Sequence, residues 1–224
     1  MVPSDSASTT TTTQDPDPNP GSSSLIPKVI THYPRNSEDA LAALNILKKW
    51  LPSELGLNIL DHAEYWLLSR VYREDTLTYT SATGRDRIPY LESKPIQGSH
   101  FPVKKIVIDI WSHDQEFNYY FESGTDNYED SPTWFEIGIQ RPSGREDILR
   151  DLDAKIVDNV HGSAKTRHHR IVYCGLGGQP GGASVRWMRN LEAEDRVTVI
   201  PQARFLGWKN FVEAAAIGVY TDPL

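Results

Sequence analysis

From Val103 onward the apolar residues change their spacing, and that change constrains what most of the chain can fold into. "VKKIVIDIW" (103–111) sets Ile106, Ile108 and Ile110 at every second position, and "TWFEIGIQ" (133–140) does the same with Phe135, Ile137 and Ile139. A period of two sends alternate side chains to opposite faces of an extended strand, leaving one face for a core. "RHHRIVYC" (167–174), "RVTVIPQAR" (196–204) and "EAAAIGVYT" (213–221) read as three further strands, and residues 146–160 fit either a helix or a strand. Several short strands with polar alternation predict a mainly β domain over residues 101–224, an antiparallel β-sandwich of jelly-roll type.

Ahead of that domain the period is helical. Asn36 or Ser37 can cap a helix, Glu38 and Asp39 suit its N-terminal dipole, and Leu41, Leu44, Leu47 and Leu51 recur at helical spacing. Pro52 interrupts the pattern: it disfavours the α conformation at Leu51 but fits the first turn of a new helix. There Leu55, Ile59, Ala63 and Trp66 or Leu67 form one stripe, with Gly56 a weak point among them. The reading is a helical segment over residues 25–70, two short helices with a kink at Leu51-Pro52. Residues 1–24 are Ser, Thr, Pro, Gly and Asp with almost nothing to bury, and predict a disordered tail. Residues 71–100, with "SATGRDRIP" and "SKPIQGS", read as a connecting loop region.

Composition narrows the function classes. A formal charge of −7 opposes a nucleic-acid binder driven by phosphate contacts. Cys174 is the only cysteine in the 224 residues, so an intrachain disulfide and a thiolate zinc site are excluded. No run approaches the about 20 apolar residues of a membrane span, and the N-terminus has no secretory h-region. The expectation is a cytoplasmic or nuclear protein, with no membrane and no nucleic acid among its partners.

The densest chemistry lies in "WSHDQEFNYYFESGTDNYEDSPTWFEIGI" (111–139), which contains no Lys or Arg. If the strands around it pair as a hairpin, Trp111, His113, Asp114 and Gln115 meet Trp134 and Glu136 at one end of the sandwich, where such folds carry binding loops. Two uses of the aromatics stay open. Trp111, Tyr119, Tyr120, Phe121 and Trp134 can stack on a sugar or a peptide, or can pack the core. His113, Asp114 and Glu136 could form an acid-base set, or could fix local turns. Asp114, Glu116, Glu122, Asp126, Glu129 and Asp130 could offer oxygen ligands to calcium, although no EF-hand spacing is present, and a solvated surface is the alternative.

"CGLGGQPGG" (174–182) fails as a phosphate loop, because Pro180 falls where a dinucleotide fingerprint needs glycine and no Lys-Ser/Thr follows. It reads as a connection. His168 and His169, as neighbours on a strand, diverge and make neither a metal pair nor a partner for the Cys174 thiol. No cofactor and no metal site is expected.

"LPSELGLNILDHAEYW" (51–66) resembles the opening of an F-box. With "WSHDQ", "SPTWFEIGI", "RHHRIVY" and the ending "DRVTVIPQARFLGWKNFVEAAAIGVY", the chain is similar to a group of short fungal F-box-like proteins over roughly residues 40–221. Their β domain resembles, distantly, the galactose-binding-like sandwich of sugar-recognising F-box proteins, which also ends with a Gly-Trp and a closing strand. The resemblance implies that Leu51, Pro52, Leu55 and Ile59 dock a cullin-ligase adaptor, and it adds Trp208 to the ligand-binding set of Trp111, His113, Asp114, Gln115, Trp134 and Glu136. The chain lacks the Cys and Trp spacing of a later F-box over residues 68–95, and a helical cap on the sandwich is the alternative. The expectation is a non-catalytic binding protein, an F-box-type ubiquitin-ligase substrate receptor for a glycan or protein ligand. A small carbohydrate or ester hydrolase using His113, Asp114 and Glu136, and a structural interaction domain, are the other readings.

Overall fold

The computed structural model describes residues 24–27, 32–97, 103–116, 128, 131–142, 146–147, 155–175 and 187–224. The proposed tail up to residue 23, Tyr119, Tyr120, Phe121, the acids Glu122, Asp126, Glu129 and Asp130, and the glycine-rich run from residue 176 lie outside them.

The protein is mainly β, with two antiparallel sheets packed face to face. The described residues form ten strands: β1 (Leu67–Arg73), β2 (Leu77–Thr80), β3 (Leu91–Glu92), β4 (Val103–Asp114), β5 (Thr133–Gln140), β6 (Glu146–Asp147), β7 (Lys155–Asp158), β8 (Arg167–Cys174), β9 (Arg196–Ala203) and β10 (Lys209–Thr221). A front sheet runs β1-β10-β4-β8, with β2 extending the β1 side of β10. A back sheet runs β3-β9-β5, with β6 and β7 on the far side of β5. Most connections cross from one sheet to the other, and the last strand lies between the first and the fourth. That is the strand order of a jelly roll.

The alternating residues do what their period requires. Ile106, Ile108 and Ile110 of β4 face Phe135, Ile137 and Ile139 of β5 across one core, closed by Val212, Ala215, Ile217 and Val219 from β10 and by Val197 and Val199 from β9. A bulge at Glu213 puts one extra residue into β10 between Val212 and Ala214. Val212 therefore faces the core while Ala214 and Ala216 face outward, and Ala215 and Ile217 return to the core.

The expected hairpin between β4 and β5 does not form. β4 pairs with β10 and β8, and β5 pairs with β9, β6 and β7, so the two strands belong to opposite sheets. Alternation specifies the inward face of a strand but not the strand that lies beside it, and both apolar sets are satisfied by meeting across the core. The described part of the ambiguous region 146–160 is strand in β6 and β7, followed by Asn159 and Val160 in a loop.

Two helices precede the sandwich: α1 (Ser37–Leu47), capped by the Asn36 side chain accepting from the Asp39 amide at 2.9 Å, and α2 (Ser53–His62). Gly56 is the contact point between them. A Cβ there would stand 2.9 Å from Leu44 Cδ1, so glycine permits the close approach. Each helix contacts the other more than it contacts any strand. Lys104–Asp61 at 3.1 Å and Lys105–Glu64 at 2.6 Å tie α2 and the turn after it to the start of β4, while the Trp66 indole, just ahead of β1, donates to Asp61 at 2.9 Å. Helix stops at His62, so Leu67 opens β1 rather than closing a helical stripe. The stretch 71–100 is less irregular than its Gly, Pro and Ser content suggests. It holds the end of β1, β2, a one-turn helix α3 (Ser81–Arg85) capped by Thr80 and Thr83, and β3.

Candidate functional site

The residues picked out in the sequence fall into three separate places. At one end of the sandwich a buried polar network joins the sheets. Ser112 Oγ donates to Asn159 Oδ1 at 2.7 Å, and Asn159 Nδ2 donates to Thr133 Oγ1 and to Asn210 Oδ1, each at 3.0 Å. Asn210 Nδ2 in turn donates to the carbonyls of Trp134 and Gln202. Ser112, Thr133, Asn159 and Asn210 are all fully buried. Removing one partner would leave others desolvated and unbonded, at about 1–3 kcal/mol for each orphaned group.

Asp114 belongs to this end and is also fully buried. Its Oδ1 accepts from the Gln115 amide at 2.8 Å and from the Trp208 indole at 2.7 Å, and its Oδ2 accepts from the Gly162 amide at 2.9 Å. The expectation that Asp114 turns toward a ligand is corrected here, since the carboxylate is the hub of an internal loop clasp; Gln115 gives this clasp only its backbone amide and is itself half-buried. The two halves of the opening stretch do meet at this end, but through Asn159, which bonds both Ser112 and Thr133.

Trp134 and Glu136 lie on the outer face of the back sheet. Arg87 donates to Glu136 Oε2 at 2.7 Å, Gln202 to the same oxygen at 3.2 Å, and the Trp134 indole to Oε1 at 3.0 Å. Trp134 is flanked by the cations of Lys155 and Arg204, 6.0 and 5.7 Å from its ring centre.

Trp111 and His113 lie on the outer face of the front sheet, beside His168 and beside Asp109, Arg170, Phe211 and Glu213, which the sequence reading did not single out. His168 stacks on Trp111 with ring centres 4.3 Å apart and its Nε2 lies 2.9 Å from Asp109 Oδ1. Arg170 grips both oxygens of Asp109 at 2.9 and 3.0 Å. His113 stacks on Phe211 at 4.7 Å and stands 3.8 Å from Glu213. The β4–β8 register, Asp109 opposite Arg170 and Trp111 opposite His168, creates this array. Alternation alone marks these positions as outward; only the register brings them together.

His113, Asp114 and Glu136 therefore share no pocket. The first is outside the front sheet, the second inside the sandwich end, and the third outside the back sheet. Adjacent strand residues diverge, and packed sheets stand about 10 Å apart. His169 is inward-facing and 7% exposed, and burial, followed by the charges of His168 and Arg167, lowers its pKa to about 4. Among the described residues no group of three His, Cys, Asp or Glu side chains could hold a metal ion.

The helix pair supplies the remaining candidate surface. Leu51 is half-buried and Pro52 exposed, while Leu55 and Ile59, one turn apart on α2, are about half exposed at 50% and 45%. Trp50 is 83% exposed, and Leu41 and Ile46 are exposed as well. Of the stripe read in the sequence, Leu55 and Ile59 face solvent, while Trp66, beyond the helix, is buried.

Fold and sites together define a jelly-roll sandwich with a structural polar end, an aromatic and charged outer face on the front sheet, and an apolar helix pair set apart from the core. The chain matches no protein-family model, no curated protein and no solved structure. Among the described residues no helix is long and apolar enough to cross a membrane.

Proposed function

We propose that the protein is a non-catalytic binding protein, an F-box-type substrate receptor. In this reading α1–α2 docks a cullin-ligase adaptor, and the sandwich holds the ligand, a glycan or a protein segment. The observation that carries it is the exposure of Leu55 and Ile59 on α2 and of Trp50 in the turn before it, where the two helices contact each other more than either contacts a strand. Fully burying one such side chain is worth about 1.5–3 kcal/mol, and large apolar groups gathered on a small element are a surface for a partner. The likeness of residues 51–66 to an F-box opening supplies the partner's class. Leu51 and Pro52 stand at the start of α2, and Leu55 and Ile59 follow on its solvent side. The non-catalytic half of the reading is supported by the carboxylates: Asp114 and Glu136 are each engaged by three internal donors. Such a receptor works in the cytoplasm or nucleus.

The test is affinity purification of the tagged protein from its source cells. The wild-type chain should recover a cullin adaptor, and Leu55→Asp should lose it while keeping its melting temperature. A wild-type chain that recovers no adaptor, or a variant that recovers it equally, contradicts the reading.

A further inference from the structure

We infer that the outer face of the front sheet is a groove for a peptide, and that the chain's own Ser24–Pro27 segment fills it as an internal ligand. The inference rests on the sandwich being the ligand-bearing half of the molecule, and is independent of what docks on α1–α2.

The groove follows from the order of the strands. β10 runs through the middle of the front sheet, and its outward positions are Ala214, Ala216 and Gly218. Trp111 lies opposite Ala214 on β4, and Tyr72 lies opposite Ala216 on β1. A floor of methyl groups and a glycine thus runs between taller walls. Ile26 sits on that floor, 5% exposed, in a cluster with Trp111, Ala214 and Ala216.

The neighbours of Ile26 are held by side chains that read a backbone. Glu74 Oε1 accepts the Ile26 amide at 3.0 Å and the Ser24 hydroxyl at 2.5 Å, and Arg70 donates to the Pro27 carbonyl at 2.9 Å. Leu25 and Pro27 are exposed on either side of the buried Ile26, and the backbone bends at Leu25 and Ile26, so the segment dips one side chain into the groove. An apolar pocket for one side chain, with charged groups on the flanking backbone N–H and C=O, is a peptide-reading arrangement. A sugar would set its hydroxyls against the Ala214 and Ala216 methyls. No strand ladder includes Ser24–Pro27, which is held by one buried side chain and these polar contacts, so a second segment of like chemistry can replace it. Its class is a peptide with a β-branched aliphatic residue directly before proline and two positions after a small polar residue.

The experiment uses the full chain carrying Ile26→Asp, which vacates the floor, and a fluorescent peptide of residues 22–28 (SSSLIPK) as probe. The variant should bind the probe saturably and at least tenfold more tightly than the wild-type chain, whose groove is filled. The peptide with serine in place of its isoleucine should not bind. Adding Ala216→Leu, which raises the floor, should weaken binding at least tenfold without lowering the melting temperature. Ile26→Gly, which brings no charge to the sheet, must fold and bind as Ile26→Asp does; if it too loses its fold, the segment is part of the core and the inference is overturned. Equal binding by wild-type and variant chains, or binding insensitive to Ala216→Leu, also overturns it. So does retention of neutral oligosaccharides by Ile26→Gly with no binding of the peptide.

Discussion

Asp114 on β4 accepts the indole N–H of Trp208 at 2.7 Å, joining the end of one central strand to the loop that opens its neighbour β10. Two residues chosen from the sequence as ligand contacts thus satisfy each other. With the amides of Gln115 and Gly162, three donors converge on one buried carboxylate. Charge-assisted bonds of this kind are about twice as strong as neutral ones. Asp114→Asn replaces one acceptor oxygen with a donor that faces an N–H, and should cost roughly 2–3 kcal/mol in urea unfolding. Ligand affinity of the folded fraction should not change; a large loss of affinity with stability intact would return Asp114 to the binding site.

His169 makes stability fall on acidification. Its pKa in the fold is lowered to about 4, while the unfolded side chain keeps an ordinary value near 6.5. Between the two the unfolded state binds the extra proton, so stability is full above about 6.5, declines as pH falls, and levels off below about 4. The complete loss is on the order of 3 kcal/mol. His169→Phe should flatten this limb of the unfolding free energy between pH 6.5 and 4. An unchanged limb would place the proton elsewhere.

Glu74 predicts a second acid effect, on binding rather than folding. Its carboxyl is held below the ordinary glutamate range, first by the Ser24 hydroxyl and then by the Ile26 amide. A lowered pKa means that the contact is complete above the ordinary value and is lost as pH falls through the lowered one. Binding of the SSSLIPK probe to the Ile26→Gly chain should weaken over that acid range. With Glu74→Gln added it should be weaker at neutral pH and insensitive to acid, and identical pH profiles would show that Glu74 does not grip the backbone.

Much of the sandwich was legible because the period of two in β4 and β5 names the inward residues directly. The neighbours of those strands were not, since Ile108 is as well buried opposite a strand as beside one. Parity also held a signal about Asp114. Ser112 and Asp114 continue the inward series of Ile106, Ile108 and Ile110, so both were due to face the sandwich interior. Asp109, His168 and Arg170 needed the β4–β8 register, which depends on contacts far apart in the chain. In α2 the Leu55–Ile59 stripe was plain, but a stripe does not say whether a core or a partner covers it. Ile26 carried no local pattern, because its site is made by β4 and β10.

The central claim is that the apolar side of α2 is a docking surface. Calorimetric titration of a purified cullin adaptor into the purified protein tests it most directly, with Leu55→Asp and Ile59→Asp as paired variants. Binding should be saturable with a negative heat-capacity change, as burial of apolar surface requires. Both variants should lose it by at least tenfold and keep the wild-type melting temperature. No binding by the wild-type protein, or undiminished binding by both variants, would contradict it.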